Sequence, residues 1–171
     1  MRQAMTAYFA TGAELWRPYF LALLAETYGK VGQSEEGLRS LSEALTLVDT
    51  TGERYYEAEI YRLKGELTLK KTVDGRRSTV AEKEAEACFL KAIEIARKQS
   101  AKSWELRATM SLVRLRQQQA RRDASRATHP ETRRRLNEAH QMLSDIYNWF
   151  TEGFDTADLK EAKALLEALR H

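Results

Sequence analysis

Apolar and small residues recur along this chain at the i, i+3, i+4, i+7 spacing of a helix with one buried face. From Pro18 to Lys30 the stripe is Leu21, Leu24, Ala25 and Tyr28, and Pro18 fits there only in the first turn. Gly32 and Gln33 then turn the chain. Ser34 is expected to cap a second helix with Glu35 and Glu36 in its first turn and Gly37, Leu41 and Ala44 on its inner face. Gly12 and Gly52 each follow a helical stripe, as a helix C-terminus prefers. A second hairpin carries Tyr61, Gly65 and Thr68, then Ala85, Phe89 and Ala92; a third carries Ala108, Ser111, Leu112 and Leu115, then Ala139, Leu143 and Ile146. From Asp155 to Arg170, Leu159, Ala162, Leu166 and Leu169 share a stripe, with Lys160, Glu161, Lys163, Glu167 and Arg170 largely opposite, as in a terminal capping helix.

The hairpins are copies of one unit. Similar blocks close them at residues 1–12, 41–52, 89–100 and, one residue out of step, 143–153. Each block has a bulky apolar residue followed three positions later by Ala4, Ala44, Ala92 or Ile146. Self-similarity at a spacing of about 40–55 residues predicts stacked two-helix repeats, whose usual work is to hold another macromolecule. The small residues let paired helices approach, and the bulky ones fill the space to the next pair.

The order Leu21, Leu24, Ala25, Tyr28, Gly37, Leu41, Ala44 resembles a tetratricopeptide repeat, with Asp49 where that family usually has Pro near the repeat end. The resemblance implies an all-α, right-handed superhelix of antiparallel helix pairs, with about seven to eight helices. It divides residues 1–171, as one domain, into the second helix of an incomplete repeat (1–12), repeat 1 (13–52), repeat 2 (53–100, with a long turn at 72–81), repeat 3 (101–154, with an Arg-rich turn at 120–130) and a capping helix (155–171). Residues 11–38, 57–67, the run ending at 104–119, and 149–169 further resemble the C-terminal repeats of large bacterial signalling proteins. There such repeats follow a nucleotide-binding ATPase module, often behind an adenylyl or guanylyl cyclase; related repeats occur in maltose-regulator-type activators. This implies a non-catalytic arm that binds a regulatory protein or peptide, or upstream domains of the same parent protein.

If the repeats stack as that family's do, their first helices line a concave groove carrying Tyr19, Glu26, Glu59, Arg62, Glu66, Thr109 and Arg116. This face mixes both charges and lacks the Lys/Asn set that family members use to clamp a C-terminal carboxylate, which disfavours a chaperone-tail receptor. The half-repeat at the start would leave Met1, Met5, Tyr8 and Phe9 beside an unfilled groove. That arrangement is expected of a chain excised from a longer one, or of an end covered by a partner such as a second copy in a homodimer.

Composition narrows the function classes. A 43% apolar share is too rich for disorder, and the longest apolar run, Tyr19 to Ala25, falls well short of a membrane span. With no leader evident at Met1 and Cys88 as the single cysteine, the expectation is a cytoplasmic protein without disulfides or membrane contact. The net charge of +3 is uneven: residues 114–135 hold eight Arg against Asp123 and Glu131. Arg121, Arg122, Arg126, Arg133, Arg134 and Arg135 thus make a basic patch that suits an acidic protein partner or nucleic acid. No aromatic residue interleaves from Ser111 to Ile146, so base stacking is unsupported and nucleic acid is the weaker fit.

An enzyme is not expected, and neither a cofactor nor a metal. There is no phosphate-cradling Gly-rich loop, and His129, His140 and His171 are scattered without partners at metal-ligand spacing. Cys88 beside Phe89 reads as a small core filler, and the pairs Glu35/Glu36, Glu84/Glu86 and Asp155/Asp158 suit helix starts. Thr128 to Glu131 reads as a capping box after the Arg-rich turn. Trp16, Trp104 and Trp149 are expected mainly in packing, and of Tyr55 and Tyr56 one must point outward.

Overall fold

The computed structural model describes residues 16–70, 78–123 and 130–168. Those residues form seven α-helices and no strand: α1 (Arg17–Lys30), α2 (Ser34–Thr51), α3 (Glu57–Lys70), α4 (Thr79–Lys98), α5 (Lys102–Asp123), α6 (Pro130–Trp149) and α7 (Ala157–Ala168). The all-α expectation therefore holds. The chain divides into two compact units, Met1–Cys88 and Phe89–His171, so the boundary falls midway along α4 and not at a repeat end.

In the first unit α1 and α2 form a hairpin and α3 packs on both. Their core joins Leu21, Ala22, Ala25, Leu41, Ala44, Val48, Ile60, Leu63 and Leu67. Each fully buried Leu or Ile contributes about 1.5–3 kcal/mol of transfer free energy. Two glycines make the joint close. A Cβ on Gly29 would stand 2.5 Å from Leu67 Cδ2, and one on Gly37 would stand 2.6 Å from Leu67 Cδ1 and 3.1 Å from the Ala25 carbonyl. Leu67 is thus a wedge between the end of α1 and the start of α2. Lys70 Nζ secures the same joint by donating to the Gly29 carbonyl at 2.9 Å. Gly52 ends α2 at φ 74°, its N–H reaching the Val48 carbonyl at 3.0 Å, as the sequence predicts. Ser34 is the first residue of α2 and no side-chain cap forms there; the acidic first turn stands without one.

In the second unit α5 and α6 pair as a hairpin and α7 packs on both. Ala108, Ser111, Leu112, Leu115, Ala139, Leu143 and Ile146 are all buried, as expected. Ser100 closes α4 in the left-handed region at φ 55°, and the Ala101 N–H reaches the Ala96 carbonyl at 2.8 Å. The capping helix α7 buries Leu159 and Ala162 and exposes Lys160, Glu161, Lys163 and Glu167. Arg107 Nε to Asp158 Oδ2 at 2.7 Å, and an Arg114–Glu161 pair, tie it to α5.

Both long turns differ from their predicted bounds. Thr79 to Ala81 already belong to α4, and residues 71–77 lie outside the described ones. Helix α5 continues through Arg121 and Arg122 to Asp123, because the Gln/Ala/Arg run before it is a strong helix former. Pro130 then opens α6, where its missing N–H costs nothing. Arg126 and the start of the expected capping box fall at 124–129, outside the described residues.

Candidate functional site

Of the groove residues expected from the register, five lie in the first unit, on α1 and α3. Arg62 is the centre of this face. Its Nε and Nη2 donate to the two Glu59 carboxylate oxygens at 2.7 and 2.6 Å, and Nη1 meets Glu66. The Arg62 and Glu59 side chains are only 13% and 5% exposed, so this fork is held away from water. Burial by itself would lower the Arg62 pKa. The Glu59 hydrogen bonds and the charges of Glu59, Glu66 and Glu26 outweigh it, and the pKa stands above its ordinary value. Glu66 and Glu26 keep 36% and 43% of their side chains exposed, and Glu26 pairs with Lys30 at 2.8 Å. The accessible part of the face thus holds the Glu26 and Glu66 carboxylates together with the Lys30 ammonium, and the Arg62 guanidinium is already engaged. Tyr19 adds an aromatic end, its ring perpendicular to that of Tyr56 at 4.9 Å.

Thr109 and Arg116, expected on the same groove, belong to the second unit and are buried there. Thr109 has no exposed surface, and its hydroxyl donates to the Glu105 carbonyl at 2.8 Å. Arg116 Nη1 donates to the Arg135 carbonyl at 2.6 Å and so joins α5 to α6. Neither presents a side chain to a partner. The signal was in the sequence: residues 108–113 carry no charge, which is the mark of a helix covered nearly all round. Met1, Met5, Tyr8 and Phe9 lie outside the described residues.

A second surface was missed. Trp16 and Tyr55 are 43% and 59% exposed, with rings 5.7 Å apart and almost perpendicular. Trp16 also meets Tyr19 edge-on at 6.4 Å, and Tyr55 lies 6.1 Å from the half-buried Tyr56. The Trp16 backbone takes φ 67°, costly for a bulky residue, and its N–H donates to Glu53 Oε1 at 3.1 Å. Ion pairs ring this edge: Arg17 with Glu43, and Arg54 with Asp49 and Glu57. The second unit has exposed rings too, Trp149 at 58% and Phe154 at 46%, while Trp104 is half-buried under Arg107. Trp16 and Trp149 are not interior fillers, although Trp16 packs on Tyr55 across the expected boundary between repeats 1 and 2. Both stand at helix ends, where a 3.6-residue period carries no information.

The basic patch is partly neutralised within the second unit. Arg134 donates to Glu131 and Glu138, which draws the Glu131 carboxyl below its ordinary pKa and raises that of Arg134. Arg135 is half-buried. Arg121, Arg122 and Arg133 are exposed, and Arg121 and Arg133 form no ion pair among the described residues.

The remaining reactive groups do not converge. Cys88 is half-buried, and burial pushes its thiol pKa up, with Lys64 opposing and Glu84 adding to the shift. His140 is half-buried with its Nε2 unpartnered; His129 and His171 lie outside the described residues. Among the described residues no cluster of His, Cys, Asp and Glu could hold a metal, and no helix is long and apolar enough to cross a membrane. Comparison of the chain with family models, with curated proteins and with solved structures finds no match.

Proposed function

We propose that this chain is a non-catalytic protein-interaction module whose contact face is the α1/α3 surface of its first unit. It would serve in the cytoplasm as the regulatory or scaffold arm of a bacterial signalling protein. One observation carries the reading: Glu26, Glu59 and Glu66 gather around Arg62 on the adjacent helices α1 and α3, three carboxylates against Arg62 and Lys30, so the face keeps a net negative charge. Such a rigid, net-acidic face with an aromatic end suits an amphipathic helix whose apolar stripe is flanked by Lys or Arg.

Titration of the labelled protein with two synthetic helices, one Leu-striped and Lys-flanked and the other Glu-flanked, tests this by NMR. The Lys-flanked peptide is expected to shift Tyr19, Glu26, Arg62 and Glu66, and the charge reversals Glu26→Lys and Glu66→Lys to abolish the effect. If neither peptide perturbs this face, the proposal falls. The competing reading, nucleic-acid binding through Arg121 and Arg133, predicts shifts with a single-stranded oligonucleotide that vanish as salt rises. The ion pairs of Arg134 and the lack of interleaved aromatics count against it.

A further inference from the structure

The two units differ in sign. Residues 1–88 sum to −2 and residues 89–171 to +5, with the basic excess concentrated at 114–135. The acidic unit also carries the exposed Trp16/Tyr55 edge, and the residues ringing it hold a carboxylate surplus: Glu43, Asp49, Glu53 and Glu57 against Arg17 and Arg54. Exposed indole and phenol rings among surplus carboxylates favour one kind of side chain above others. A guanidinium stacks on the ring faces and pairs with the acids at once. The same chain supplies such groups: Arg121 on the last turn of α5 and Arg133 on the first turns of α6 stand exposed with no ion pair among the described residues.

We infer that the Trp16/Tyr55 edge of one copy receives the Arg121/Arg133 end of a second copy. The contact joins two different surfaces, one from each unit, so it is heterologous. It adjoins the α1/α3 face, since Trp16 meets Tyr19, but it uses other charged groups, Glu43, Asp49, Glu53 and Glu57 in place of Glu26 and Glu66, so the two readings fail separately. The Trp16 backbone supports it: an unfavourable φ of 67°, with the Trp16 N–H bonded to Glu53, accompanies an indole that packs on Tyr55 and stays 43% exposed.

Complementation between two variants of the full chain tests the inference. Asp49→Lys/Tyr55→Ser removes the edge at exposed positions; Arg121→Glu/Arg133→Glu removes the basic end. Circular dichroism first verifies that both fold. Sedimentation of the wild type at low ionic strength is expected to give masses above the 19.7 kDa of one chain, falling to that value at about 0.5 M salt, where exposed charge pairs are screened. Each variant alone is expected to be monomeric, and their equimolar mixture to form a capped 1:1 dimer, because each still holds the surface the other lost. A monomeric wild type at low salt, self-association that survives either variant, or a mixture that stays monomeric would each overturn the inference.

Discussion

Leu67 and the two glycines facing it set the tightest tolerance in the first unit. Gly37→Ala gains helix propensity of about 1 kcal/mol but forces Leu67 and the Ala25 carbonyl apart. Over-packing of this kind costs about 1–3 kcal/mol, so we expect a net loss of stability in urea denaturation. The further change Leu67→Ala should remove the clash, so that the double variant loses less than the sum of the single losses. Glu105 gives a residue-level test in the second unit. Burial alone would raise its pKa, yet hydrogen bonds from Arg97 at 2.6 Å and Lys102 at 2.9 Å bring it below the ordinary value. A carboxyl with a depressed native pKa holds fewer protons folded than unfolded, so its stabilisation is present above the unfolded pKa and lost as pH falls. Glu105→Gln should therefore show a shallower loss of stability below about pH 4.5 than the wild type, measured by denaturation across that range.

Among the elements, α7 separates the two sources of docking strength. Its ion pair to Arg107 is a third exposed on both sides, and its apolar seat is Leu159 and Ala162. Arg107→Ala is expected to cost no more than about 1 kcal/mol, because half-screened pairs are weak. Leu159→Ala should cost about 2–5 kcal/mol by leaving a cavity. Amide hydrogen exchange confined to α7 distinguishes the two: protection drops sharply for the second change and little for the first. This ordering also explains what the sequence could tell. Helices whose identity rests on an apolar stripe, such as α2 with Leu41, Ala44 and Val48, were legible from period alone. The end of α5 was not, because Arg121 and Arg122 suit a helix end as well as a solvated loop, whereas α6 opens at Pro130, where the helix was expected to restart. Thr109 and Arg116 were misplaced for a related reason: register fixes an angle around one helix, while burial depends on how many neighbours surround it.

For the molecule as a whole, the single thiol lies at the sequence boundary between the two compact units. Cys88 is the last residue of the first unit, inside a helix that runs unbroken from Thr79 to Lys98. Half-covered and held protonated by burial, it is a poor nucleophile while that helix is formed. Alkylation at neutral pH is therefore expected to be slow, to quicken as pH approaches the raised thiol pKa, and to quicken further wherever α4 opens. Ala87→Pro, which deletes a backbone donor and crowds the preceding turn of α4, should speed it severalfold at constant pH; an unchanged rate would mean that α4 does not govern access. The chain thus carries a built-in chemical clock at its own midpoint, able to time the opening of α4 without any foreign label being engineered in.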